Sequence, residues 1–237
     1  PGNTALAVAA DADYAVVEVD NGGGKERLVL ASTLAELVVR GEHQVVDTVK
    51  GSDLEGLTYE LLYDPAKYGM EIRCFSQQAS EAEAPTLDKA EQVGQRVFAA
   101  DFVSLEDGTG IVHIAPAFGD QDLNAGRQHG LANVQPVDLQ GRITGTYPFA
   151  GKFVKEADED IRRDLQQRGL LYRREVYRHT YPFCWRCDSP LLYYAKSSWY
   201  LKTTAVKERL ISGNQEINWY PDYIKEGRFG EWLRNNV

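Results

Sequence analysis

The sequence predicts an α+β fold: many short strands curled into a β-barrel-like arrangement, carrying a few helices. Three observations lead there. Runs such as Tyr14–Val19 and Ile111–Ala115 are apolar and β-branched with a period of two, the pattern of half-buried strands. Glycines at 41, 56, 141, 145 and 151 punctuate the chain at turn spacing. Only a few segments have helical spacing, the clearest being Glu156–Gln167, with Ile161 and Leu165 on one face and Gly169 as its stop.

Taken in order, Pro1–Val8 is strand-like from its start. Tyr14–Val19 and Arg27–Ala31 pair as a hairpin around Asn21-Gly22-Gly23-Gly24, a turn that tolerates positive φ. Thr33–Arg40 has helical spacing through Leu34, Leu37 and Val38, and Gly41 closes it. Val45–Lys50 is a further strand leading into the Gly51–Gly56 turn. Residues 64–95 are less regular, and polar Ser80–Pro85 has the composition of a mobile excursion. Arg96–Val103 resumes as a strand, and short strands are expected at Val134–Val137, Ile143 and Phe149–Phe153, with another at Leu171–Tyr177. Helices follow at Thr203–Ser212 and Gly227–Asn236. Residues 1–180 are expected to form one domain, with residues 181–237 as a hairpin and helical tail.

The chain of 237 residues can bury a core, and 43% hydrophobic with 26% charged residues is an ordinary globular balance. No apolar run approaches the roughly 18 residues a membrane span needs, and no export leader is visible. Three cysteines make no disulfide framework, so a reducing, cytoplasmic setting is expected. A net charge of −9 argues against a general nucleic-acid binder. Between Lys152 and Cys187, however, nine basic residues face six acidic ones, a local +3 that leaves −12 elsewhere. That end could meet phosphate; the plainer reading is a solvated helix face of mixed charge.

The most chemically loaded stretch is GTGIVHIAPAFGDQDLNAGRQHG, Gly108–Gly130. Pro116 should end the strand, Ala117–Gly119 should turn, and Asp120 stands where a helix N-cap belongs, before a short helix over Leu123–His129 stopped by Gly130. His113 then lies at the strand end and Asp122 in the first helical turn, so one imidazole and one carboxylate converge on a small pocket. Spacing alone leaves another reading open: the helix dipole favours Asp there, and a single strand His is commonly a satisfied core residue.

GTGIVHIAPAFGDQD resembles the signature of the editing domain of the isoleucyl-tRNA synthetases, the insertion that interrupts the catalytic domain of these class I enzymes. PGNTALAV, KGSDLEGLTY, YPFCWRCDSPLLYYAKSSWYL and NWYPDYIKEGRFGEWLRNNV are similar to the same family in the same order, so the resemblance covers nearly the whole chain. It implies a barrel-like editing domain and hydrolysis of valine misattached to tRNA(Ile), with valyl-adenylate as a further substrate. The parent enzyme ligates isoleucine to tRNA using ATP. It further implies that Asp122 holds the substrate α-ammonium, that His113 walls the side-chain pocket against isoleucine, and that Asn3 is a pocket residue. Gly108, Thr109, Gly110, Pro116, Ala117 and Phe118 are expected to complete the walls. Partners implied are the tRNA(Ile) acceptor end and the parent's catalytic domain; a monomer without membrane contact is expected. No obvious nucleophile stands in the motif, so water attack is favoured over a covalent route, and whether His113 acts as a base is open.

Cys184-Trp185-Arg186-Cys187 has the spacing of one zinc knuckle on a hairpin. A closed site wants four ligands, and no second pair exists; Cys74 is alone and His179 lies five residues upstream. The resemblance implies half of a four-cysteine site whose other pair precedes Pro1 in the parent, so no cofactor is expected here and zinc belongs to the full-length enzyme. The alternative is two structural cysteines. Trp199, Trp219 and Trp232 with Tyr200, Tyr220 and Tyr223 give the tail an aromatic density suited to packing on a larger body.

Two other readings compete: a tRNA-positioning module without hydrolysis, and a zinc-ribbon scaffold unrelated to synthetases. A metallohydrolase using His113 and Asp122 has too few ligands, since His129 projects from the far end of its helix. The family's threonine-rich strand just before Pro-Gly-Asn, one wall of the pocket, is expected to be missing from this chain. Hydrolysis of valyl-tRNA(Ile) is therefore expected to be weak here and strong in a chain extended to include that strand; equal, robust rates would refute the missing wall.

Overall fold

The computed structural model describes residues 1–20, 24–76, 86–175, 180–199 and 201–237. The expected Asn21–Gly23 turn residues, the Ser80–Pro85 excursion, the end of the strand at 176–177, His179 and Tyr200 lie outside them. The strands are β1 (Ala5–Val8), β2 (Asp13–Asp20), β3 (Lys25–Ala31), β4 (His43–Lys50), β5 (Ile72–Phe75), β6 (Leu87–Ala90), β7 (Val97–Ala99), β8 (Ile111–Ile114) and β9 (Ala132–Asn133). The helices are α1 (Ala35–Val38), α2 (Gly51–Leu54), α3 (Asp120–His129), α4 (Val154–Gln167), α5 (Lys207–Glu216), α6 (Tyr223–Glu226) and α7 (Arg228–Asn236). The α+β class holds. The barrel does not close: among the described residues the strands form three separate three-stranded sheets, β7-β1-β8, β3-β2-β4 and β6-β5-β9.

The reason lies in the short segments after Gly130. Val137 and Ile143, and Arg142 and Phe153, make only isolated bridges, and the expected strand at Arg96–Val103 shortens to β7. Too little ladder remains to link sheet to sheet. Side chains join them instead. The predicted hairpin is present, with Tyr14 opposite Ala31, and the Tyr14 ring is fully buried. Its hydroxyl accepts from the Ala9 amide at 3.0 Å and donates to the Gly110 carbonyl at 2.6 Å, tying the second sheet to the turn that feeds β8. Ala31 N–H donates to Thr109 O at 2.8 Å beside it. Thr33–Arg40 keeps one helical turn, α1, after a 3₁₀ turn over Ser32–Leu34.

In the first sheet β1 runs between parallel β7 and antiparallel β8, with Leu6 opposite His113 and Ala5 opposite Ile114. Ala5, Ala7 and Ile114 are fully buried against Phe98, Ala125 and Leu131, which seats α3 on this sheet. Helix α4 turns Ala157, Ile161 and Leu165 onto a cluster of Tyr63, Ile143, Tyr147 and Phe149. The predicted α4 face is the observed one.

The chain divides into compact units at Pro1–Ala195 and Lys196–Val237, rather than at 180/181. The hairpin carrying the cysteines is held to the first unit through Ala195 N–H to Ala117 O at 2.8 Å and Tyr194 OH to Val137 O at 2.9 Å. In the second unit, buried Asn214 donates to Lys225 O at 2.9 Å and accepts from Trp219 Nε1 at 2.8 Å, while Trp219 packs on Phe229. Among the described residues no helix is long and apolar enough to cross a membrane.

Tyr14→Phe preserves the ring and leaves the Ala9 amide and Gly110 carbonyl unpaired in the core. It is expected to destabilise the fold by about 2 kcal/mol, the scale of a buried unsatisfied group. Urea unfolding should show a lower midpoint at an unchanged slope.

Candidate functional site

The site grows from the end of β8. Pro116, fully buried, stops the strand, and Phe118 N–H closes the turn onto Ala115 O at 2.9 Å. Gly119, with extended backbone, is the N-cap of α3, so Asp120 is the first helical residue rather than the cap. Asp122 stands third in the helix. Its Oδ2 accepts from the Ala115 N–H at 2.9 Å, folding the carboxylate back onto the strand end. A Cβ on Gly119 would stand 3.0 Å from Asp122 Cγ, so glycine keeps this space open. The other oxygen, Oδ1, has no hydrogen-bond partner among the described residues.

Asp122 and His113 line one cleft of about 890 Å³. Asn3, Tyr59 and Phe118 line it too, as do Lys155, Asp158, Ile161 and Leu165 of α4 and Tyr181 and Tyr193 of the hairpin. Asn3 Nδ2 donates to Ala5 O at 2.9 Å and lies 3.4 Å from His113 Nδ1, while Tyr59 OH donates to Asn3 Oδ1 at 2.6 Å. Lys155 Nζ sits 4.9 Å over the Tyr181 ring. One edge of His113 is open to solvent, yet the protein packed about the ring disfavours imidazolium and lowers its pKa, an effect the Asp122 charge partly offsets.

Not every expected wall residue is at the cleft. Gly108, Thr109 and Gly110 are at the opposite end of β8, roughly 10 Å away along a four-residue strand. Thr109 O accepts from the β3 residue Ala31, and Gly110 packs on β3 and Tyr14: a Cβ on Gly110, whose φ is +70°, would meet Ala31 Cβ at 2.4 Å. Pro116 and Ala117 are buried behind the turn and do not line the cleft; Phe118 does, packed edge-on against Tyr194. Tyr59, Lys155 and Asp158 also line the cleft; Tyr59 ends the KGSDLEGLTY stretch, whereas Lys155 and Asp158 lie on α4, whose mixed charge reads in the sequence as a solvated helix face.

The model for class I tRNA synthetases (I, L, M and V) matches residues 9–237. The chain belongs to that family. It is similar to the isoleucine–tRNA ligase of Dehalococcoides mccartyi strain CBDB1, 53% identical over all of this chain and 22% of the relative. The isoleucine–tRNA ligase of Thermus thermophilus is 43% identical over all of this chain and 20% of its own length. The chain thus spans about a fifth of the curated relatives it matches. Among solved structures, the crystal structure of GlLeuRS-CP1 is similar at a TM-score of 0.47 and 15% identity, covering 74% of this chain and 80% of that one.

The knuckle cysteines occupy a turn in which Asp188, at φ +56°, bonds back to Cys184 O at 2.8 Å. Cys187 Sγ lies 3.3 Å from Ser189 Oγ, and bonding to Ser189 and Cys184 lowers its thiol pKa. No group of three His, Cys, Asp or Glu side chains fit to hold a metal occurs among the described residues. Two thiols cannot make the closed four-ligand shell of structural zinc, so no chemistry is routed through a metal at this hairpin.

The electrostatics at the cleft end are measurable. NMR titration of His113 is expected to give a pKa below the ordinary imidazole value. Asp122→Asn should lower it further, since the carboxylate is what favours the charged ring; a rise in the variant would contradict this arrangement.

Proposed function

We propose that this chain is the editing domain of an isoleucine–tRNA ligase, hydrolysing valine misattached to tRNA(Ile). The observation that carries the reading is the Asp122 carboxylate. One oxygen is anchored by the Ala115 amide, and the other has no hydrogen-bond partner among the described residues, in a cleft that His113 also lines. A carboxylate so fixed suits an α-ammonium group, a charge-assisted bond that sets the position of the ester.

A second site has a plain physical motive. A hydrophobic pocket discriminates one methylene by only roughly 1–3 kcal/mol, isoleucine against valine being the standard illustration rather than a figure obtained from this chain. The whole cleft is far larger than a valine side chain, so isoleucine is refused by the wall at His113 and not by total volume. The remainder, along Lys155, Tyr181 and Tyr193, is where the terminal nucleotide of the acceptor end lies. The parent's catalytic domain is the source of the error being corrected.

Asp122→Asn keeps an acceptor for the Ala115 amide and removes the charge. It is expected to lower kcat/KM for valyl-tRNA(Ile) hydrolysis by at least about tenfold, the scale of one charge-assisted hydrogen bond. His113→Ala should begin to hydrolyse isoleucyl-tRNA(Ile). A variant at Asp122 that loses tRNA affinity alone, at unchanged hydrolysis rate when saturated, would favour a positioning module instead.

A further inference from the structure

Asn3 stands in the cleft, yet its amide is already committed. The Ala5 carbonyl can only accept, so the amide atom 2.9 Å from it is Nδ2, bearing protons. Oδ1 is then the atom 2.6 Å from the Tyr59 hydroxyl, and that hydroxyl donates. The remaining proton on Nδ2 faces His113 Nδ1 at 3.4 Å, which leaves Nδ1 as the acceptor. A neutral imidazole carries one proton, and here it resides on Nε2.

We infer that Asn3, held between the Ala5 carbonyl and the Tyr59 hydroxyl, is a positioning residue that fixes His113 in its Nε2–H tautomer, making His113 a hydrogen-bond donor to the bound ester and not its base. This deepens the editing reading and rests on it for the identity of the ester. The burial that disfavours imidazolium supports a neutral ring. The ionisable groups bearing on that ring are Asp122 from α3 and the amino group of Pro1, with the neutral Tyr59 hydroxyl behind Asn3. A neutral ring whose Nε2 already holds a proton cannot take one from water there. It can donate to the carbonyl oxygen on which negative charge develops as water adds. The proton removed from water must go elsewhere, to solvent or to a hydroxyl of the substrate's own terminal ribose. Tyr59 thus joins the site without touching the substrate.

Two measurements on the full 237-residue chain test this. The first is ¹⁵N NMR of the His113 ring without substrate, so it stands or falls independently of any hydrolysis. The wild type is expected to show a pyrrole-type Nε2 and a pyridine-type Nδ1. Asn3→Asp, whose carboxylate only accepts, should move the proton to Nδ1; Asn3→Ala, a second variant should the first fold poorly, should leave a mixture of tautomers. A protonated Nδ1 in the wild type, or an unchanged pattern in both variants, overturns the inference. The second is valyl-tRNA(Ile) hydrolysis by His113→Gln, whose amide can donate where Nε2–H does but cannot act as a base. Its rate is expected to fall several-fold as the ring is lost yet to stay above that of His113→Ala, which can neither donate nor accept, whereas a rate no higher than that of His113→Ala, or a fall of roughly hundredfold or more, the scale a lost general base costs, would overturn the donor role and make His113 the base. Should neither this chain nor one extended to include the threonine-rich strand hydrolyse the ester, the editing reading fails while the NMR result still decides the tautomer.

Discussion

The bond from the Ala115 amide to Asp122 governs the site. β8 is the edge strand of its sheet, with β1 on one side only. Where Pro116 ends the ladder, the last outward amide would be left without a strand partner, and a buried donor in that state costs about 1–3 kcal/mol. Asp122 satisfies it at 2.9 Å from seven residues on. The same contact sets where α3 begins relative to the strand, places a negative charge at the helix end that favours it, and leaves one carboxylate oxygen for a ligand.

Close approaches elsewhere follow from that placement. A Cβ on Gly126 would press to 3.0 Å on both Phe75 and Pro116, so α3 lies against the turn and β5 with no room for a larger residue. Tyr14 performs the matching task at the other end of β8, bonding Gly110 and Ala9 across two sheets. The strand is therefore pinned at both ends by polar contacts from outside its own ladder, one buried and one half-buried. A four-residue edge strand has little intrinsic stability, and these two anchors are what keep His113 facing Asn3.

The strand–turn–helix was legible because its signals are local: alternation, a proline, a glycine stop and acids at a helix start. The β2–β3 hairpin and the inward face of α4 were legible for the same reason. What sequence periodicity could not supply is which short segments would pair. Closure of a barrel depends on ladders between segments far apart in the chain, and Val134–Val137, Ile143 and Phe149–Phe153 fold into bridges and turns instead. Gly108–Gly110 stand at the far end of β8 from His113 for a related reason. Nearness in sequence to His113 suggested a shared pocket, but an extended strand carries its two ends apart at about 3.3 Å per residue. Tyr59 was hidden by the converse, 56 positions from the Asn3 it bonds.

A chain of net charge −9 would be an awkward host for the polyanion of the proposed function, and the charges lining the cleft bear on that. Exposed charges are screened beyond roughly 8 Å at physiological salt, so the total matters less than what stands within reach. The Asp122 carboxylate bears on His113, hospitable to an ammonium and hostile to phosphate. Across the cleft, Lys155 is placed over Tyr181, a cation and an aromatic face together, although Asp158 one turn further along α4 tempers its charge. On the proposed function, a ligand with an amino group at one end and a phosphodiester at the other would be favoured with its amino group toward Asp122 and its phosphate toward Lys155. Orientation by opposed charges works before any contact with the side chain, so on the proposed function discrimination at His113 would act on esters already presented amino end first.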